Sequence, residues 1–155
     1  MAASLKKSKR PSVASSPKPP DRTVLFVDRS LGGKVVPDAL RAAGERVERH
    51  DDHFPADTPD HVWLADVGAR GWLILTKDKR IRRRPAEIHA LRAAGAKAFF
   101  LSSSKDLTGP QMAEIFVRAL PKMKRIARNT PAPFLAHVMR DGSVHVMPGS
   151  NPAEV

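Results

Sequence analysis

The chain contains no cysteine and no tyrosine. Without cysteine there is no disulfide framework, no thiolate-held zinc and no thiol nucleophile. Aromatic residues make up only 5% of the chain, which argues against modules that stack several bases on aromatic platforms. No apolar run exceeds a few residues, so nothing reads as a membrane-spanning helix. Acids are scarce relative to bases, 16 Asp and Glu against 27 Lys and Arg, for a net charge of +11.

What is present fits one α/β domain. A length of 155 residues suits a single domain, and 41% apolar residues exclude a wholly disordered chain. The basic excess is clustered, which points to a polyanionic partner. Residues 1–22 carry six bases against Asp21, a net +5. Residues 77–84, Lys-Asp-Lys-Arg-Ile-Arg-Arg-Arg, carry another +5, and Arg118, Lys122, Lys124, Arg125 and Arg128 follow one helical stretch.

Residues 1–22 hold four prolines, five serines and almost nothing to bury. They read as a disordered basic tail with no apolar core of a secretory signal. Residues 23–148 read as the domain and 149–155 as a flexible C-terminus. Thr23-Val-Leu-Phe-Val-Asp28 and Trp72-Leu-Ile-Leu-Thr76 are short continuous apolar runs, the signature of buried parallel strands. Arg46–His50 and Ala98–Leu101 are two further strands. Helices are expected over 35–43, from an N-cap at Thr58 to Arg70 with Val62, Trp63, Leu64 and Val67 inward, over 85–94, and over 108–129. The last opens on a Thr108/Gln111 capping box and bends near Pro121. Asp141-Gly142 between two apolar runs predicts a hairpin with a type I′ turn. The resulting β-α-β-α-β-α-β-α order with a C-terminal hairpin is a mainly parallel sheet with helices on both faces.

In such sheets the reactive crevice lies outside the carboxyl ends of the strands. Asp28 closes the first strand, Asp51 and Asp52 follow the second, Asp60 sits in a first helical turn, and Asp78 lies two residues past a buried strand. Loop chemistry and helix dipoles explain some such acids. Asp28 is harder to explain that way, because an acid closing Val-Leu-Phe-Val is partly buried, at a cost. Converging carboxylates repel unless a cation neutralises them. With oxygen ligands alone, that cation is Mg²⁺ or Mn²⁺. Acids for a metal beside bases for phosphates is the combination that phosphodiester hydrolysis needs.

These residues resemble the PIN-domain superfamily, and within it the VapC-type toxins. The resemblance is carried by Leu25-Phe-Val-Asp28-Arg-Ser-Leu-Gly32, Asp51-Asp-His-Phe-Pro55, Pro59-Asp-His-Val-Trp63-Leu64 and Gly71-Trp-Leu-Ile-Leu-Thr-Lys-Asp78-Lys-Arg-Ile81-Arg. It covers residues 23–101, and the Thr-Lys-Asp following a buried strand is its most specific part. It implies a Rossmann-like sheet and a metal-dependent endoribonuclease with Asp28, Asp60 and Asp78 as catalytic residues. Those three, with Asp52 or its neighbour Asp51, would be the metal ligands. The resemblance also implies an RNA substrate, an acidic cognate antitoxin, a cytoplasmic location and no membrane; a homodimer is compatible with it. Lys79, Arg80, Arg82, Arg83 and Arg84 are the RNA-binding candidates. Lys77 and Lys79 are expected to alternate along an extended segment. The later acid of the family's pattern has no obvious counterpart, Glu87, Asp106 and Glu114 being the candidates.

Other readings fail at particular positions. A haloacid-dehalogenase phosphatase needs a second Asp where Ser30 stands. A receiver domain needs its acid pair after the first strand, and Gly32-Gly33 falls short of a dinucleotide fingerprint. A zinc or iron site on His50-Asp-Asp-His53 asks one contiguous run to wrap an ion, which is unusual. Trp63 and Trp72 read as core. The rival that survives is a non-catalytic PIN-like domain that binds nucleic acid or a partner through an incomplete metal site.

Overall fold

A computed structural model of the chain describes residues 22–102 and 106–148. The expected tail, Arg22 excepted, and the segment 149–155 lie outside them. The strands are β1 (Val24–Val27), β2 (Arg46–Arg49), β3 (Leu73–Thr76), β4 (Lys97–Ser102), β5 (Phe134–Met139) and β6 (Val144–Val146). The helices are α1 (Val35–Ala42), the single turn α2 (His50–His53), α3 (Asp60–Ala69), α4 (Lys79–Arg83), α5 (Pro85–Ala93) and α6 (Gly109–Asn129). The sheet order is β2-β1-β3-β4-β5-β6. The first five strands run parallel and β6 returns antiparallel to β5.

Strand periodicity divides the core into two layers. Leu25, Val27, Leu73, Leu75, Phe99 and Leu101 face one side, beneath α1 and α6. Phe26, Ile74, Ala98 and Phe100 face the other, against Trp63 of α3, Ile81 of α4 and Leu91 of α5. β3 is buried on both faces, which is why its sequence is an unbroken apolar run. The order reverses between β1 and β3, the switch point where a crevice opens at the carboxyl ends of the strands.

α3 meets α5 through Gly68. A Cβ built there would stand 2.6 Å from the Ala94 Cβ and 3.0 Å from the Ala96 Cβ. Neither neighbour is the far end of a flexible chain. Overpacking costs about 1–3 kcal/mol, against about 1 kcal/mol of helix propensity gained by Gly→Ala. Gly68→Val adds volume and forfeits most of that gain. Urea unfolding should show it destabilised by about 2–3 kcal/mol with an unchanged m-value, and more than Gly68→Ala.

Four local expectations are corrected. The N-cap of α3 is Pro59, while the Thr58 hydroxyl donates to the Pro55 carbonyl at 2.8 Å. Val62 is 46% exposed, because α3 turns only Trp63, Leu64, Val67 and Gly68 inward. The segment after Thr76 is not extended. Asp78 caps α4 by accepting from the Arg80 amide at 3.0 Å, and Ile81 anchors the turn in the core. The hairpin loop is Arg140-Asp141-Gly142, closed by Gly142 N–H to the Met139 carbonyl and Met139 N–H to the Ser143 carbonyl. This is a three-residue turn with glycine at φ 88°, set by Asp141 accepting from the Ser143 amide and hydroxyl. The Thr108/Gln111 capping box is present, and α6 runs without a break through Pro121.

Candidate active site

Asp28 leaves β1 at its carboxyl end and is only 6% exposed. Its Oδ2 accepts from the Thr76 hydroxyl at 2.7 Å and the Ser30 hydroxyl at 2.8 Å. Those hydroxyls in turn accept from the backbone beyond β3: Thr76 Oγ1 from the Asp78 amide at 3.0 Å, and Ser30 Oγ from the Lys77 amide at 3.1 Å. The ends of β1 and β3 are thus tied through one carboxylate. Burial pushes the Asp28 carboxyl up from its usual range, against the pull of those two hydrogen bonds, and the charge of Asp60 adds to the rise.

Asp60 stands in the first turn of α3, and its Oδ1 accepts from Trp63 Nε1 at 3.0 Å. Trp63 is fully buried, so the core aims this acid. Asp78 holds Arg80 in a bidentate pair, Nε to Oδ1 at 3.0 Å and an Nη to Oδ2 at 2.9 Å. Burial works against ionisation of Asp78, but the Arg80 side chain and backbone outweigh it and hold the carboxyl below its usual range. The Asp78 side chain is 14% exposed and that of Arg80 62%, so the arginine is the partner free to leave.

Asp28, Asp60 and Asp78 therefore line one cavity of about 350 Å³, together with Ser30, His50 and Arg80. Of the three, Asp78 is the one seen in an ion pair among the described residues, with Arg80. Asp28 is buried and Asp60 half-buried, and carboxylates so placed suit a hard divalent ion. Among the described residues no three His, Asp or Glu side chains form a ready-made metal cage.

Asp52 is not brought to the cavity. It forms its own bidentate pair with Arg49, at 2.7 and 2.9 Å, which draws its carboxyl down. Asp51 pairs with Arg29 at 3.0 Å, and His53 with Glu48 at 2.6 Å. The candidate later acids Glu87, Asp106 and Glu114 do not line the cavity either. Lys79, Arg80, Arg83 and Arg84 are exposed and Arg82 is half-buried, all on or beside α4, and of the five Arg80 lines the cavity.

Two residues escaped the sequence reading. Ser30 entered it only as the wrong residue for a phosphatase, although a hydroxyl two residues past a strand-end acid is a familiar local partner. In the sequence His50 stands out only as part of the contiguous His50-Asp-Asp-His53 run. It is 3% exposed and lines the cavity, its Nδ1 has no hydrogen-bond partner, and burial holds its basicity down against the charge of Asp28.

Residues 23–103 match the family model described as a PIN like domain. The chain is also 34% identical, over 138 residues, to a Mycobacterium tuberculosis protein named "Putative ribonuclease VapC45"; the match covers 83% of this chain and 99% of that one. No solved structure matches it.

Proposed function

The chain belongs to the PIN-like domain family, and from that premise we propose that it is a metal-dependent endoribonuclease of the VapC type. The observation that carries the proposal is the meeting of Asp28, Asp60 and Asp78, from three separate elements, in one cavity at the sheet's switch point. The relative's name supplies the substrate class, RNA.

In this reading Asp28 and Asp60 would hold Mg²⁺ or Mn²⁺, and Asp78 would join them once Arg80 turns away. The ion would stabilise charge on the phosphate and make a bound water acidic enough to attack. The chain's own residues do the rest. Thr76 and Ser30 fix the Asp28 carboxylate in one orientation. Trp63 does the same for Asp60. Arg80, released from Asp78, clamps a phosphate oxygen, a role its forked guanidinium suits. Lys79, Arg82, Arg83 and Arg84 attract the flanking phosphates. As a VapC-type protein, the chain would be the toxin of a toxin–antitoxin pair, its basic rim offering the charge complement for an acidic antitoxin segment. No described helix is long and apolar enough to cross a membrane.

The test is removal and return of metal. Chelation should abolish RNA cleavage and Mg²⁺ or Mn²⁺ should restore it. Independently of activity, metal at about a hundred times its Kd should stabilise the fold by about 2.7 kcal/mol, read as a rise in melting temperature. A non-catalytic domain with an incomplete site would show neither effect, and that result would falsify the proposal.

A further inference from the structure

The row of residues level with Asp28 runs the full width of the sheet. Asp28 is hydrogen-bonded to Thr76, Thr76 pairs in register with Phe100, Phe100 with His137, and His137 with His145. Residues directly opposite on neighbouring strands point to the same face. The cavity acid and the two histidines therefore share one face of one sheet. At about 4.8 Å per strand, His137 lies roughly 14 Å and His145 roughly 19 Å along the row from Asp28.

α4 stands between them. Ile81 fixes it to the sheet. Arg80 lines the cavity. Arg82, two residues on and so on the opposite side of the helix, lies close enough to His137 for its charge to be felt there. Lys79 and Arg83 are exposed, so α4 forms a basic saddle between the acidic cavity and the hairpin. On the far side His145 is exposed, while His137 and Met139 are half-buried, with Met147 beside them packed on the core. This face therefore carries two imidazoles opposite one another in register and two thioethers, with the charge of Arg82 acting on His137. The charged groups acting on His137 are Arg82 and His145, with no carboxylate among them, and His137 Nδ1 has no hydrogen-bond partner.

We propose that the β5–β6 face, with His137 and His145 as a base-stacking floor and Arg82 as a phosphate contact, is a second docking point for the single-stranded RNA held at Asp28, Asp60 and Asp78. This rests on the ribonuclease reading and extends it. The strand runs from the cavity, over Lys79 and Arg83, to the hairpin. One base stacks there, which one flat floor can supply despite the scarcity of aromatics. The face adds affinity for strands long enough to cross the sheet and nothing for a dinucleotide that fills the cavity alone.

The experiment compares a uridine dinucleotide with an oligouridylate long enough to span the sheet, on the full chain, by anisotropy for binding and by cleavage kinetics for KM. Wild type should favour the longer strand by about tenfold or more, and a His137→Ala/His145→Ala variant should lose about fivefold or more of that preference. His145→Ala alone, at an exposed position, should lose part of it, with thermal melts showing the fold intact. Arg82→Gln should lower the slope of log affinity against log salt by about one. A length preference that survives all three substitutions overturns this inference and leaves the ribonuclease reading standing. Wild type that neither binds nor cuts either RNA overturns both. Displacement of the oligonucleotide by polyglutamate through these same residues, with no effect of the substitutions on RNA, overturns it in favour of an acidic protein segment.

Discussion

Asp28→Asn should reduce RNA cleavage at least about a thousandfold, since losing a metal ligand forfeits several kcal/mol of transition-state stabilisation. In chelated buffer at neutral pH the same variant should melt at a higher temperature than wild type. Burial pushes the Asp28 carboxyl above the usual carboxylate range, against the pull of the Thr76 and Ser30 hydrogen bonds. A folded-state pKa above the unfolded one means the native state holds the proton more tightly. The stability this contributes is full below the unfolded value and is lost as pH rises through the folded one. At neutral pH the ionised Asp28 is therefore a cost to the fold, and the isosteric amide removes it. The advantage of the variant should shrink as pH falls towards 4 and below. Saturating Mg²⁺ or Mn²⁺ should reverse the order at neutral pH by stabilising wild type alone. Differential scanning fluorimetry across pH, with and without metal, reads all of this. A variant less stable than wild type without metal would mean that Asp28 is a structural carboxylate rather than one kept for a cation.

Trp63→Ala should cost about 3–5 kcal/mol in chemical denaturation, a large share of the roughly 5–15 kcal/mol that holds a domain together. Trp63 is 1% exposed and packs against Phe26, ring centroids 5.3 Å apart, and His50, 5.5 Å apart. Trp63→Phe separates the two duties of the side chain. It keeps most of the ring in the core but deletes the N–H that holds Asp60 at 3.0 Å. The phenylalanine variant should remain folded yet lose about tenfold to a hundredfold in kcat, because a misplaced acid spoils the alignment that catalysis needs. Metal titration followed by melting temperature should show weaker binding. An activity loss that merely tracks the stability loss would confine Trp63 to the core.

The elements that the sequence made legible share a physical trait: each is specified by a short-range pattern. Val24–Val27, Leu73–Leu75 and Ala98–Leu101 are apolar without alternation because both faces of those strands are covered. The Thr108/Gln111 box is visible because capping is a contact between residues three apart. Asp28, Asp60 and Asp78 stood out because strand ends and helix starts sit at defined offsets from those patterns. What escaped was decided by competition. Whether the basic run after Thr76 is coiled or extended depends on an interaction that propensity does not contain: Ile81 finding a place in the core.

The sequence by itself therefore determined the layered α/β architecture, the three acids and the basic rim, since local periodicity and strand-end placement encode them. Only the tertiary structure decided which neighbours each acid keeps. It sent Asp52 to Arg49, gave Asp78 to Arg80, aimed Asp60 through Trp63, buried His50 beside them, and set His137 and His145 on the same face as Asp28. Those choices depend on strand register and helix packing between residues tens of positions apart, and no local pattern carries that distance.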